Sequence, residues 1–171
     1  MALIKAVRGH SPRFGNNCFL AENATVVGEV LMGDNCTVWF NAVIRGDVNS
    51  ITIGNNTNIQ DGAVIHCTYE RAKTVIGSNV SIAHNAVVHG CTIHDEVLIG
   101  MGAIVMDHAV IESNSVIAAG AVVLSGTHVE SGSVYGGTPA KRINATSDEL
   151  KAVILRTASN YPMYAEWFKE Q

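Results

Sequence analysis

The sequence predicts an all-β solenoid, a parallel β-helix with one C-terminal α-helix packed along it. Three observations carry this. An aliphatic residue recurs at every sixth position, a small residue usually follows four positions later, and after residue 145 the spacing turns helical. Leu20, Val26, Met32, Val38 and Ile44 keep one phase. Ile53, Ile59 and Ile65 keep a second, and Ile76 and Ile82 a third. The fourth runs through Ile93, Ile99, Val105, Ile111, Ile117, Val123 and Val129. Small residues such as Ala24, Cys36, Ala42, Ala63, Ala86, Ala103, Ala109 and Ala121 mark the corners. Such a period excludes an amphipathic helix, whose repeat is near 3.6, and a hairpin meander, which needs turn signals every 8–12 residues. It fits a triangular coil with one hexad per side. Coils stack at the strand spacing, so each needs its neighbours and the ends need caps.

The phase breaks fall at Ile44 to Ile53, Ile65 to Ile76 and Ile82 to Ile93. The first inserts three residues and predicts a bulging loop over 45–52. Insertions in a solenoid gather on one face, often the functional one. Past Gly136-Gly137-Thr138-Pro139-Ala140-Lys141, the run Thr146-Ser147-Asp148-Glu149 reads as a capping box. Leu150, Val153, Ile154 and Tyr161 then follow at helical spacing, and Pro162 is expected to end or kink the helix. The organisation is therefore one domain, with the β-helix and its N-terminal cap over 1–145 and the packed helix over 146–171.

Composition agrees. Hydrophobic residues make up 47% of the 171 but aromatics only 6%, so the apolar mass is aliphatic and suits a narrow β interior. The net charge of −4, without a basic stripe, excludes a nucleic-acid surface. No stretch approaches the roughly 20 apolar residues of a membrane span, and the N-terminus has no signal-like apolar run. A cytoplasmic location is expected. Cys18, Cys36, Cys67 and Cys91 lack CxxC spacing and are expected as thiols, small buried hydrophobes rather than a zinc knot.

Three of the seven histidines cluster at the phase breaks: His66, His84 and His89. His84 lies roughly one coil after His66, and His89 five residues later across a corner. His66 and one of the other two can share a face, which leaves the third for a neighbouring copy. Three imidazoles without a fourth protein ligand form an open, catalytic type of metal site, suited to zinc and other first-row ions. Such a metal lowers the pKa of a bound water to roughly 7. Against this stands the reading of three solvated histidines on a β surface. Arg45 and Asp47, with Gln60 and Asp61 one coil later, supply an ion pair that can tie copies together or support the metal site.

The strings Ile44-Arg45-Gly46-Asp47, Asn58-Ile59-Gln60-Asp61, Val64-Ile65-His66, Ile82-Ala83-His84, His89-Gly90-Cys91 and Leu98-Ile99-Gly100-Met101-Gly102 resemble the γ-class carbonic anhydrase family of the hexapeptide-repeat superfamily. The resemblance implies a left-handed parallel β-helix, a homotrimer with metal sites at subunit interfaces, and reversible hydration of CO2 to bicarbonate. It implies Zn2+, with Fe2+ or Co2+ as other occupants, on His66 and His89 of one subunit and His84 of the next. It gives Arg45, Asp47 and Asp61 the interface ion pair. Gln60 would hydrogen-bond the metal-bound water, with Asn58 nearby and Tyr161 as an active-site tyrosine. The chain departs from the family archetype at Val48, where a shuttle glutamate is expected, and in the short loop after His66, whose one acid is Glu70. Two other readings stay open: an acyltransferase or thioesterase acting on an acyl-coenzyme A, since Gly137-Thr138-Pro139-Ala140-Lys141 resembles a coenzyme-contacting end, and a non-enzymatic trimeric metal-binding module.

Overall fold

A computed structural model describes residues 1–168. Nineteen strands wind into a three-sided parallel β-solenoid of about seven turns, followed by one antiparallel return strand and one helix. The first face stacks Phe19–Leu20, Thr37–Val38, Asn58–Ile59, Ser81–Ile82, Leu98–Ile99, Val116–Ile117 and Ser133–Gly136, all parallel. The second face stacks Val64–His66, Val87–His89, Ile104–Val105 and Val122–Val123 on the start of Val43–Ile53. The third stacks Thr74–Ile76, Thr92–Ile93, Val110–Ile111 and His128–Val129 on its end.

The hexad explains the core. The recurring aliphatic residues from Val26 to Val129 are buried, and Ile44, Ile59, Ile65, Ile82, Ile99 and Ile117 show no exposed surface. Small residues such as Ala42, Ala63, Ala86 and Ala103 are sealed at the corners. The third residue after the aliphatic position turns the corner with positive φ. Asparagine supplies it at Asn35, Asn41, Asn56, Asn79, Asn85 and Asn114, being the side-chain-bearing residue that best tolerates that region.

One corner carries a side-chain ladder. Asp34 Oδ1 accepts from the Asn16 amide at 2.6 Å, Asn55 Oδ1 from the Asp34 amide at 2.8 Å, Ser78 Oγ from the Asn55 amide at 3.0 Å, and Asp95 Oδ1 from the Ser78 amide at 2.7 Å. The residue before each rung must leave room for the next coil's acceptor. A Cβ on Gly33 would lie 2.2 Å from Asn55 Oδ1, and one on Gly77 2.3 Å from Asp95 Oδ1. The ladder ends at Asp95, and His94 then occupies the glycine column.

Three expectations need correction. The insertion after Ile44 is no free loop: Val43–Ile53 is one continuous strand paired with Thr25–Met32, and the extra residues form a bulge opposite Glu29. The helix runs Asp148–Glu166 with Ser147, not Thr146, as its N-cap, the hydroxyl accepting from the Leu150 amide at 3.2 Å. Pro162 lies inside that helix and does not end it. It removes one backbone donor, while Tyr161 beside it is pinned edge-on against Trp39 at 5.4 Å. The helix buries Ile154, Ala158 and Ala165 against the first face. Lys141–Ala145 reverses direction and pairs antiparallel with Ser133–Gly136, exposed along its whole length. No helix among the described residues is long and apolar enough to cross a membrane.

Candidate metal centre

All three phase breaks lie at or beside the corner between the second and third faces. The bulge after Ile44, the loop 67–73 and the shortened step after Val88 stack on one another. His66 and His89 end adjacent parallel strands there and lie directly in register. Their rings meet at 5.1 Å between centroids, with His66 Nδ1 3.1 Å from His89 Nε2.

Each ring is held from behind by an aspartate. His66 Nε2 lies 3.1 Å from Asp47 Oδ1, and Arg45 Nη1 donates to Asp47 Oδ2 at 2.6 Å. His89 Nδ1 lies 2.5 Å from Asp107 Oδ1, and the Thr68 hydroxyl donates to Asp107 Oδ2 at 2.5 Å. Burial works to raise both carboxyls, but it is outweighed. Hydrogen bonds from Arg45 and His66 hold Asp47 below the usual carboxylate range, and those from Thr68 and His89 do the same for Asp107. Burial pushes the His66 imidazole down, against the opposing hydrogen bond to Asp47.

An ionised carboxylate beside each ring favours the tautomers with Nε2–H on His66 and Nδ1–H on His89. The nitrogens that face each other then both carry lone pairs. Two lone pairs at 3.1 Å repel unless a cation lies between them. Imidazole nitrogens backed by carboxylates are the donor set of a zinc-class ion. The residues present therefore fit a metal.

His84 sits at the other edge of the second face, on the corner shared with the first. Its Nδ1 is 2.9 Å from Asp61 Oδ2, which directs Nε2 away. Within one chain Asp61 thus pairs with His84, and Arg45 pairs with Asp47 rather than with Asp61. Among the described residues no three His, Cys, Asp or Glu side chains are arranged to hold an ion in a single chain.

Gln60, Asn58 and Tyr161 collect beside the His84 edge. Gln60 Nε2 donates to Asn58 Oδ1 at 2.9 Å, and Asn58 Nδ2 donates to Ser81 Oγ at 2.8 Å, all three residues being buried. This chain commits the Gln60 amide nitrogen and leaves its carbonyl oxygen as the outer polar end. The unbroken helix keeps Tyr161 in place, and burial, reinforced by the Asp61 charge, pushes its phenol up to about 12. Val48 packs partly buried against the core and carries no acid towards the site.

Comparison with known proteins decides the family. A probable carbonic anhydrase of Methanocaldococcus jannaschii is 44% identical over 138 residues, covering 80% of this chain and 86% of that protein. The chain belongs to the γ-class carbonic anhydrase-like family. The description of bacterial transferase hexapeptide repeats matches residues 11–46 and 90–125. Gamma carbonic anhydrase 1, mitochondrial, of Arabidopsis thaliana is 41% identical over 91% of the chain. The chain spans only 58% of the length of that relative and 56% of a second Arabidopsis one. A crystal structure described as a hexapeptide transferase family protein of Anaplasma phagocytophilum superposes with a TM-score of 0.93 at 37% identity, covering 97% of this chain and 98% of that one.

For this γ-class carbonic anhydrase-like chain, the fold brings together His66, His89, Asp47 and Arg45 at one edge and His84, Asp61, Gln60, Asn58 and Tyr161 at the other. Sequence reasoning missed Asp107 and Thr68. The signal was present: Asp107 stands 18 residues after His89, one coil on in a three-hexad repeat. Aspartates at other corners, such as Asp34 and Asp95, cap backbone amides instead, which hid it.

Proposed function

We propose that this chain forms a cyclic homotrimer that hydrates CO2 reversibly, with a zinc-class ion held at each interface by His66 and His89 of one copy and His84 of the next. The carrying observation is the His66–His89 pair, whose facing nitrogens lie 3.1 Å apart with Asp47 and Asp107 against the other nitrogen of each ring. Each copy holds its two half-sites at opposite edges of one face, so completion needs a head-to-tail ring. The face between them supports this, because it leaves Val64, Ile104, Met106 and Leu124 exposed. In such a ring Arg45 and Asp61 come from copies that meet at the site, which suits the interface ion pair.

An ion held there supplies a Lewis acid that brings the pKa of a coordinated water to about 7. This chain's residues do the rest. Gln60, fixed by Asn58, offers a carbonyl oxygen to orient a water or bicarbonate proton. Tyr161 stays a neutral phenol through the physiological range and donates a hydrogen bond.

Proton exit is the step the chain equips poorly, since Val48 provides no carboxylate. General acid–base help is typically worth 10²–10⁴-fold. Stopped-flow CO2 hydration should therefore show kcat rising with imidazole buffer while kcat/KM stays nearly constant, and Val48→Glu should raise kcat at low buffer. Absence of hydration at every buffer level would sink the activity. Hydration with a flat buffer response would sink only the assignment of the slow step.

A second reading is acyl transfer from an acyl-coenzyme A, favoured by the transferase description of the Anaplasma relative. Release of free coenzyme A from acetyl-coenzyme A by the metal-loaded protein would support it over CO2 hydration.

A further inference from the structure

We propose that Asp107 is a positioning residue for His89, and that the Thr68 hydroxyl holds Asp107 in that role. The inference rests on the metal reading above and concerns residues that lie behind the ligands.

Asp107 reaches both partners across the coil. Its Oδ1 takes His89 Nδ1 at 2.5 Å, and its Oδ2 takes the Thr68 hydroxyl at 2.5 Å, 39 residues away in sequence. Its side chain is only 25% exposed, so solvent competes weakly for it. Thr68 is fixed in turn. It opens the loop after His66, and a backbone bridge to Ala72 closes that loop. Thr74 ties the loop's far end to both ligand strands, donating to the His66 carbonyl at 2.6 Å and accepting from the Gly90 amide at 3.0 Å.

The two carboxylates behind this histidine pair differ. Asp47 shares its charge with the Arg45 guanidinium. Thr68 brings Asp107 a hydrogen bond but no charge. Asp107 therefore keeps its full negative charge for the imidazole N–H, which fixes the tautomer and orientation of the His89 ring. A hydroxyl here is a means of fixing a carboxylate without neutralising it.

Purified full-length wild type, Asp107→Asn, Thr68→Val and Thr68→Ser would be compared in two measurements. Zinc affinity by chelator competition should fall roughly 10–100-fold in Asp107→Asn, fall less in Thr68→Val, and return in Thr68→Ser. Nitrogen-15 NMR of the metal-free protein should show His89 as the Nδ1–H tautomer in wild type and lose that preference in Asp107→Asn. Circular dichroism separates these effects from misfolding, and the Thr68 pair, differing by one hydroxyl, decides the matter if Asp107→Asn fails to fold. Affinities within about two-fold of wild type in Asp107→Asn and Thr68→Val would overturn the proposal, as would an Nε2–H tautomer in wild type. A wild type that binds no zinc would overturn the metal reading instead, and the NMR result would still decide the role of Asp107.

Discussion

Cys18 and Cys36 occupy the same inward corner one coil apart, yet they are not equivalent. Sequence composition suggested four small buried hydrophobes, and Cys36, Cys67 and Cys91 are buried as expected. Cys18 lies in the first coil, just before the strand Phe19–Leu20 that ends its sheet, and is only half-buried. A hydrogen bond from Cys36 outweighs burial and lowers the Cys18 thiol to about 7, while the same pairing pushes Cys36 up. Burial pushes Cys91 up to about 12. The thiolate is the nucleophile, so a lowered pKa means faster reaction at neutral pH. Iodoacetamide at pH 7.5 should label Cys18 before the other three, as read by peptide mass mapping. Cys36→Ala should move the pH midpoint of that labelling upward, towards an ordinary thiol. First labelling at Cys67 or Cys91, or an unmoved midpoint, would contradict the hydrogen-bonded pair.

At the scale of the elements, each hexad repeats one local requirement, which is why the coil is legible in the sequence. The aliphatic, small and corner positions are all set within six residues. What stayed illegible depends on the next coil. The glycines at Gly33 and Gly77 follow from an acceptor side chain that belongs to another hexad. The insertion after Ile44 looked like a loop because its partner strand, Thr25–Met32, is not adjacent in sequence. Pro162 was expected to end or kink the helix because its local cost was visible, and it does not end it because the packing of Tyr161 on Trp39, invisible in the sequence, holds the turn. Two glycines test this division. A Cβ on Gly77 meets fixed backbone, with Asp95 N and His94 C both at 2.8 Å, whereas Gly102 has open space and a φ of +65°. Gly77→Ala should cost about 1–3 kcal/mol by urea unfolding, as overpacking does. Gly102→Asn should stay within about 0.5 kcal/mol, since asparagine tolerates that backbone and the site is open. Equal losses at the two positions would refute the ladder as the reason for the glycine column.

For the whole molecule, the histidine cluster was legible as a set, but its division was not. Spacing left open which histidine stands apart, and the register of Val64–His66 with Val87–His89 pairs His66 with His89. The split site makes subunit mixing informative. His84→Ala and His89→Ala trimers should each lack metal. Unfolded and refolded together in equal amounts, they should recover about one intact site in four by random cyclic assembly. Zinc content of the mixture checks this, and recovery of none would exclude ligands shared between copies. A last consequence lies in the return strand Lys141–Ala145. A stack of parallel coils ends in a row of unsatisfied amides and carbonyls, and any second molecule with the same repeat is a ready continuation. By doubling back antiparallel, this segment offers an incoming coil the wrong polarity, with Lys141 and Arg142 exposed beside it. A fold whose logic is unlimited repetition thus carries its own terminator against growing into a fibre.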